Sequence, residues 1–157
     1  MSIMPAVGKT APAFNLPSST GRSISLDDFK GKQVVVLYFY PKADTPGCTV
    51  EAQDFTRLAD DFAKLGAQVL AVSRDAPAKL CKFRDKYGLT VRLASDEDGA
   101  LCEAFGTWVE KQNYGRSYMG IERSTFLFGA DGKLAREWRK VRVKGHAEAV
   151  LEAAKAL

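Results

Sequence analysis

The chain contains few side chains that can act as nucleophiles or metal ligands: Cys48, Cys81, Cys102 and a single histidine, His146. Three cysteines spaced 33 and 21 residues apart do not form the disulfide framework of a secreted protein. In a reducing compartment, a disulfide is usually transient and catalytic. The four side chains could formally provide a Cys3His zinc site, but no pair has the short spacing that structural zinc sites use. We therefore expect thiol chemistry without a metal or organic cofactor.

Cys48 follows a predicted buried strand and opens a predicted helix. The run QVVVLYFY at 33–40 is rich in β-branched and aromatic residues, which is typical of a strand buried on both faces. Thr45 suits a helix N-cap and Pro46 the first helical position, which places Cys48 in the first turn. The helix is predicted to continue to Gly66, because apolar residues recur at helical spacing: Phe55, Leu58, Ala59, Phe62 and Leu65.

A cysteine in the first turn of a helix is placed to react as a thiolate. Unpaired backbone N–H groups and nearby cations lower the pKa of a thiol from its usual value of about 8.5. Lowering it to about 6 requires roughly 3.4 kcal/mol, at about 1.36 kcal/mol per unit. A helix dipole supplies only about 0.3–2 kcal/mol. A nucleophilic Cys48 therefore needs a cation beside it, and the hydroxyl of Thr45 could reach the same reacting atom.

The remaining pattern predicts an α/β protein of one domain, residues 1–157. Early alternation of strands and helices implies parallel strands, and a late hairpin adds antiparallel ones, giving a mixed central sheet flanked by helices. The other predicted elements are an N-terminal hairpin around 18–21, strands at 68–73, 91–95, 124–129 and 133–143, a helix over 80–87 ended by Gly88, a short helix at 99–105, and a closing helix near the C-terminus.

Composition favours an ordinary globular protein. Hydrophobic residues make up 46% of the 157 residues, charged residues make up 27%, and the net charge is +4. The longest apolar run is too short to span a bilayer, and the N-terminus has no secretory core, so we expect a cytoplasmic protein. The modest charge argues against nucleic acid. An alternative is a binding module with one basic strand face, formed by Arg136, Lys140, Arg142 and Lys144.

Two other thiol enzymes compete with this interpretation. A thioredoxin-type oxidoreductase needs a Cys-x-x-Cys pair, but Thr45 and Glu51 occupy the positions three residues from Cys48. A Cys-His hydrolase needs a base, and His146 is predicted to begin the last helix. Neither class is favoured.

The stretch YFYPKADTPGCT at 38–49 resembles the peroxiredoxins, and most closely the bacterioferritin comigratory protein / PrxQ branch. The family's Pro-x-x-x-Thr/Ser-x-x-Cys motif is present as Pro41, Thr45 and Cys48. Further similarity covers 72–83, 93–106 and 120–134, so the resemblance extends over nearly the whole chain. It implies a thioredoxin-like fold.

The resemblance also implies a role for each matched residue. Cys48 corresponds to the peroxidatic cysteine, whose thiolate attacks hydrogen peroxide or an organic hydroperoxide and becomes a sulfenic acid. Thr45 corresponds to the residue whose hydroxyl binds the peroxide, and Pro41 to the proline that shields the thiolate from water. Arg123, in GIERSTFLF, corresponds to the active-site arginine, which is the cation that the pKa argument requires.

The resolving cysteine is where this chain departs from part of the family. One set of members carries it five residues after the peroxidatic cysteine, and that position is Gln53 here. Another set carries it in the next helix, where Cys81 lies, one helical turn earlier than in those members. The resemblance thus implies a Cys48–Cys81 disulfide, recycled by thioredoxin or a similar dithiol, in a monomer. The alternative is a one-cysteine peroxidase resolved by an external thiol, and Cys102 is expected to be a core residue.

Overall fold

The structure is a computed structural model that describes residues 6–10, 13–25, 28–29 and 33–157. Strands and helices in these ranges follow one another along the chain. They are β1 (Asn15–Leu16), β2 (Ile24–Ser25), β3 (Val34–Phe39), α1 (Pro46–Arg57), α2 (Ala59–Lys64), β4 (Ala67–Ser73), α3 (Pro77–Tyr87), β5 (Arg92–Ser95), α4 (Ala100–Ala104), β6 (Trp108–Asn113), β7 (Arg116–Ile121), β8 (Ser124–Phe128), β9 (Leu134–Trp138) and α5 (His146–Lys155).

A mixed sheet with the strand order β5-β4-β3-β8-β9 forms the centre of the fold. Strands β3, β4 and β5 are parallel because helices connect them, whereas β8 and β9 form an antiparallel hairpin. β1 and β2 form a separate antiparallel pair at the N-terminus. The predicted mixed sheet, flanking helices and N-terminal hairpin are therefore confirmed.

Alternate side chains of β3 point into two cores on opposite faces of the sheet. One face packs against α1, α2, α3 and α5, and its core includes Tyr38, Cys48 and Phe55. The other face packs against α4 and the start of β2, and its core includes Leu37 and Cys102. Because the sheet separates Cys48 from Cys102, these two sulfurs cannot ligate one zinc ion. Cys102 is fully buried, as expected of a core residue.

The predicted helix over 48–66 is two helices in the structure. α1 ends at Arg57 and α2 begins at Ala59, because Leu58 between them has non-helical dihedrals of −94° and 6°. The apolar spacing continues across the break, and Phe55 and Phe62 are both buried. None of the helices in the described ranges has the length and apolar character that a membrane span requires.

The predicted strand over 133–143 is too long. β9 ends at Trp138, and the chain then turns, with Lys140 at a φ of +51°. Lys140, Arg142 and Lys144 therefore do not share a strand face with Arg136. The prediction of a basic strand face, on which the binding-module alternative depended, is therefore wrong.

The hairpin of β6 and β7 was not predicted. It forms a two-stranded sheet of its own, with Asn113 paired to Arg116 across a two-residue turn. Tyr114 and Gly115 in that turn both have positive φ, 52° and 76°, which is the geometry of a tight hairpin turn. This hairpin carries the chain to Arg123, which lies between β7 and β8.

Candidate active site

The pairing of β3 with β8 determines where the candidate site forms. Phe39, the last residue of β3, lies opposite Ser124, the first residue of β8. Arg123 therefore lies beside the point where the chain leaves β3 toward α1. That loop ends at Thr45, the N-cap of α1, and Pro46 is the first helical residue, as predicted. Cys48 is consequently in the first turn of α1 and faces the arginine.

Arg123 bridges Cys48 and a buried carboxylate. Its Nη2 lies 3.4 Å from the sulfur of Cys48, and its Nη1 donates a 2.7 Å hydrogen bond to Oε1 of Glu51. The cysteine is 2% exposed, while the side chains of Arg123 and Glu51 are 16% and 1% exposed. Two charges interact more strongly in a buried site, where the effective dielectric constant is low, than they do in water. A cation therefore stands where a thiolate at Cys48 would need one.

Because Gly47 has no side chain, the guanidinium group of Arg123 can lie close to the start of α1. A Cβ atom added at Gly47 would lie 3.1 Å from Nη2 of Arg123 and 4.0 Å from a methyl group of Val143. The carbonyl of Arg123 accepts a 2.9 Å hydrogen bond from the N–H of Val141, so the loop after β9 holds its backbone. The arginine is thus positioned by packing against α1 and by the backbone of this loop.

Glu51 is a site residue that the sequence analysis missed. Burial raises its pKa to about 7, while the positive charge of Arg123 acts in the opposite direction. Its second oxygen, Oε2, has no hydrogen-bond partner among the described residues. A usable signal was present, because Glu51 is three residues after Cys48, and residues with that spacing share one helix face.

Thr45 and Pro41 flank the cysteine on the loop side. The hydroxyl of Thr45 donates a 2.7 Å hydrogen bond to the carbonyl of Lys42 and makes no capping bond to the helix. Pro41 and Arg123 line the same open cavity of about 510 Å³. The structure therefore brings Pro41, Thr45, Cys48 and Arg123 to one end of α1.

Two aspartates anchor this loop to neighbouring elements. Asp75, which follows β4, accepts a 2.8 Å hydrogen bond from the N–H of Ala43 and a salt bridge from Lys79 on α3. Asp44 has an unusual φ of +62° and binds Lys86 and Tyr87 at the end of α3. Both ends of α3 are consequently tied to the loop that precedes Cys48.

Cys81 lies on α3 and is not in contact with Cys48. Its thiol donates to the carbonyl of Ser19, which also accepts a 2.8 Å hydrogen bond from Arg84. The adjacent residue Leu80 points into the core that contains Cys48. All three cysteines are free. A bond between Cys48 and Cys81 would therefore require α3 or the start of α1 to open.

His146 is not paired with Cys48. Its Nε2 shares a 2.7 Å hydrogen bond with the hydroxyl of Thr125, and its ring contacts the rings of Phe55 and Trp138 edge-on. Burial, with a smaller contribution from the charge of Arg123, lowers its pKa to about 4. The histidine is thus held neutral inside the core. This arrangement does not supply the base of a Cys-His hydrolase.

Known proteins are similar to this chain in both sequence and fold. The AhpC/TSA family profile matches residues 7–137. Peroxiredoxin Bcp of Bacillus subtilis is 47% identical over 149 residues, covering 95% of this chain and 94% of the relative. Peroxiredoxin Bcp of Escherichia coli K12 is 45% identical over 144 residues, covering 92% of each chain.

Solved structures agree with these relatives. The bacterioferritin comigratory protein of Xanthomonas campestris, studied for alkyl peroxide reduction, superimposes with a TM-score of 0.86 at 47% identity, over 91% of this chain and 90% of that one. A mutant of Xylella fastidiosa PrxQ gives a TM-score of 0.92 at 41% identity, over 99% and 98%. The chain therefore belongs to the AhpC/TSA family and is a peroxiredoxin of the Bcp/PrxQ branch, with the thioredoxin-like fold of that branch.

Proposed function

We propose that this peroxiredoxin reduces hydrogen peroxide and organic hydroperoxides through the thiolate of Cys48. The observation that supports this most strongly is the 3.4 Å approach of Arg123 to the Cys48 sulfur at the start of α1. Cation and helix N-terminus together favour negative charge on that sulfur. The solved Xanthomonas relative was studied for alkyl peroxide reduction, which supports organic hydroperoxides as a substrate class.

The proposed first step is a displacement at oxygen. The Cys48 thiolate attacks the terminal oxygen of the hydroperoxide, the O–O bond breaks, and an alkoxide or hydroxide leaves and takes up a proton. Cys48 becomes a sulfenic acid. Arg123 would stabilise the charge that moves between the two oxygens, and the hydroxyl of Thr45 would do so after it releases the carbonyl of Lys42. Pro41 would shield the thiolate from water.

The proposed second step uses Cys81 as the resolving cysteine. Its thiol attacks the Cys48 sulfenic acid, water leaves, and a disulfide forms within one chain. A disulfide needs Cα atoms about 4.4–6.8 Å apart. The thiol of Cys81 must therefore leave the carbonyl of Ser19 as α3 or the start of α1 opens. Thioredoxin or a similar dithiol would then reduce the disulfide by thiol exchange. We further propose that the protein acts as a cytoplasmic monomer with one domain.

The test is peroxide consumption supported by a thioredoxin system, with native protein, Cys81→Ser and the matched control Cys102→Ser. We expect Cys81→Ser to form the Cys48 sulfenic acid at the native rate, because Cys81 does not contact Cys48 in the reduced protein. We expect it to lose most thioredoxin-supported cycling, because no internal thiol remains to resolve the sulfenic acid. Cys102→Ser should retain cycling once folding is confirmed.

Mass mapping without reducing agent identifies the bond directly. The expected product after peroxide treatment is a Cys48–Cys81 disulfide within one chain. A Cys48–Cys102 disulfide, or overoxidation of Cys48 without any disulfide, would contradict the role of Cys81. Full cycling by Cys81→Ser would instead identify a one-cysteine peroxidase resolved by an external thiol.

Glu51 should give the reaction a pH dependence that a neutral side chain removes. Above about pH 7, Glu51 is ionised and its negative charge opposes the charge on the Cys48 sulfur. Below that pH, Glu51 is neutral and the field of Arg123 is less opposed. Glu51→Gln keeps an oxygen that can accept from Arg123 and stays neutral throughout. We therefore expect the ratio of the variant's peroxide rate constant to the native one to rise a few-fold from pH 6 to pH 8.

A suitable control is Glu110→Gln, because Glu110 is exposed and lines the same cavity as Arg123. Its ratio to the native rate constant should stay constant over the same pH range. Stopped-flow measurement of Cys48 oxidation at matched ionic strength provides the rate constants. A constant ratio for Glu51→Gln would show that Glu51 does not titrate in this range or does not act on the sulfur.

A further inference from the structure

A second cavity lies beside the C-terminal turn of α3, where Arg84 contributes to its lining. Its volume is about 550 Å³, and it is formed by the loop between β1 and β2, the end of α3 and the segment around β5. Three arginines from these three regions line it: Arg22, Arg84 and Arg92. Asp28 is the single carboxylate among the described lining residues, which leaves an excess of positive charge.

The three arginines differ in their contacts with the rest of the protein. Arg84 is held in place, because its Nη1 donates to the carbonyl of Ser19 and its Nε to Asp85. The guanidinium of Arg92 lies 5.5 Å from the centre of the Phe29 ring. Neither Arg22 nor Arg92 forms a salt bridge with any other described residue. Two of the three guanidinium groups therefore have no salt-bridge partner among the residues that the structure describes.

We propose that this cavity binds a compact polyanion that carries more than one phosphate or carboxylate group. A guanidinium group offers paired N–H donors that match two oxygens of one such group. Three guanidinium groups from separate elements favour an anion with more than one charged group over a single chloride. The hydroxyl of Ser23, which also lines the cavity, can donate a further hydrogen bond.

The site is coupled to Cys81 through one carbonyl group. Ser19 accepts hydrogen bonds from both Cys81 and Arg84, which are one helical turn apart on α3. Opening α3 to release Cys81 would also withdraw Arg84 from the cavity. An anion that binds only the closed form therefore favours closed α3 and slows formation of the Cys48–Cys81 disulfide. This part of the proposal rests on the proposed resolving role of Cys81.

Calorimetry on the reduced full-length protein tests the site without any peroxide. The probes are inorganic pyrophosphate and citrate at a fixed ionic strength of about 0.15 M, and they distinguish a phosphate from a carboxylate ligand. We expect saturable binding of at least one probe, with a Kd below about 1 mM. Arg22→Gln and Arg92→Gln should each weaken that binding about tenfold. The control Arg116→Gln, at an exposed arginine on β7, should leave it unchanged.

Disulfide formation after one equivalent of peroxide tests the coupling. At ten times its Kd, the bound probe should slow the Cys48–Cys81 disulfide about tenfold, and Arg22→Gln should reduce this effect to about twofold at the same probe concentration. Absence of saturable binding, or binding that is insensitive to both arginines, would overturn the site. Binding without slower disulfide formation would overturn the coupling. If no such disulfide forms without the anion, the role of Cys81 fails, while calorimetry still decides the site.

Discussion

We expect replacement of Cys48 by serine to reduce peroxide consumption to the uncatalysed background at neutral pH. A serine hydroxyl is not ionised at that pH, so the variant would present no strong nucleophile to the O–O bond. Arg123 and the N-terminus of α1 would still be present, because both are held by contacts that do not involve the sulfur. The loss would therefore report the nucleophile itself, and assays of peroxide disappearance over a range of protein concentrations measure it.

The matched control for Cys48→Ser is Cys102→Ala. Both cysteines are buried, but Cys102 lies in the core on the opposite face of the sheet. Removing its sulfur should lower the thermal midpoint by creating a small cavity and should leave the first oxidation intact. Peroxide consumption by well-folded Cys48→Ser at the native rate would contradict the assignment, as would equal losses in the two variants.

The position of the nucleophile could be predicted because its signals are local. A run of β-branched residues predicts β3, and Thr45 with Pro46 predicts where α1 begins. These features place Cys48 in a first helical turn without knowledge of any distant contact. By contrast, the pattern before β8 gave no physical reason to place Arg123 at the site. Only resemblance to a family suggested it, because the juxtaposition depends on β3 pairing with β8.

Other features were not predictable because they depend on contacts between distant segments. The break at Leu58 contains neither proline nor glycine, and the apolar period continues across it. The β6–β7 hairpin has mostly exposed residues, so its strands lack the alternation that marks a half-buried sheet. The carbonyl of Ser19 meets Cys81 across 62 residues of sequence. No pattern local to α3 indicates that partner.

We expect replacement of Arg123 by methionine to lower the rate constant of Cys48 oxidation by about 10²–10³-fold, the loss typical when one preorganised charge-stabilising donor is removed. Methionine has a similar length and no charge, so it removes the cation 3.4 Å from the sulfur while filling much of the space. It also leaves the buried carboxylate of Glu51 without its partner, which favours the protonated form of that carboxyl. The loss should therefore be somewhat smaller above about pH 7, where Glu51 of the native protein is ionised and opposes the charge on the sulfur.

Arg123→Lys separates charge from geometry. A lysine keeps the positive charge, but its single ammonium group cannot present two parallel donors to Glu51 and Cys48 together. We expect an intermediate rate, because the cation persists while its orientation is lost. Arg139→Met is the matched control, since Arg139 is also partly buried and donates to the carbonyls of Phe105 and Gly106, in a different part of the structure. If Arg123→Met oxidised as fast as Arg139→Met, the charge beside Cys48 would contribute nothing to the displacement.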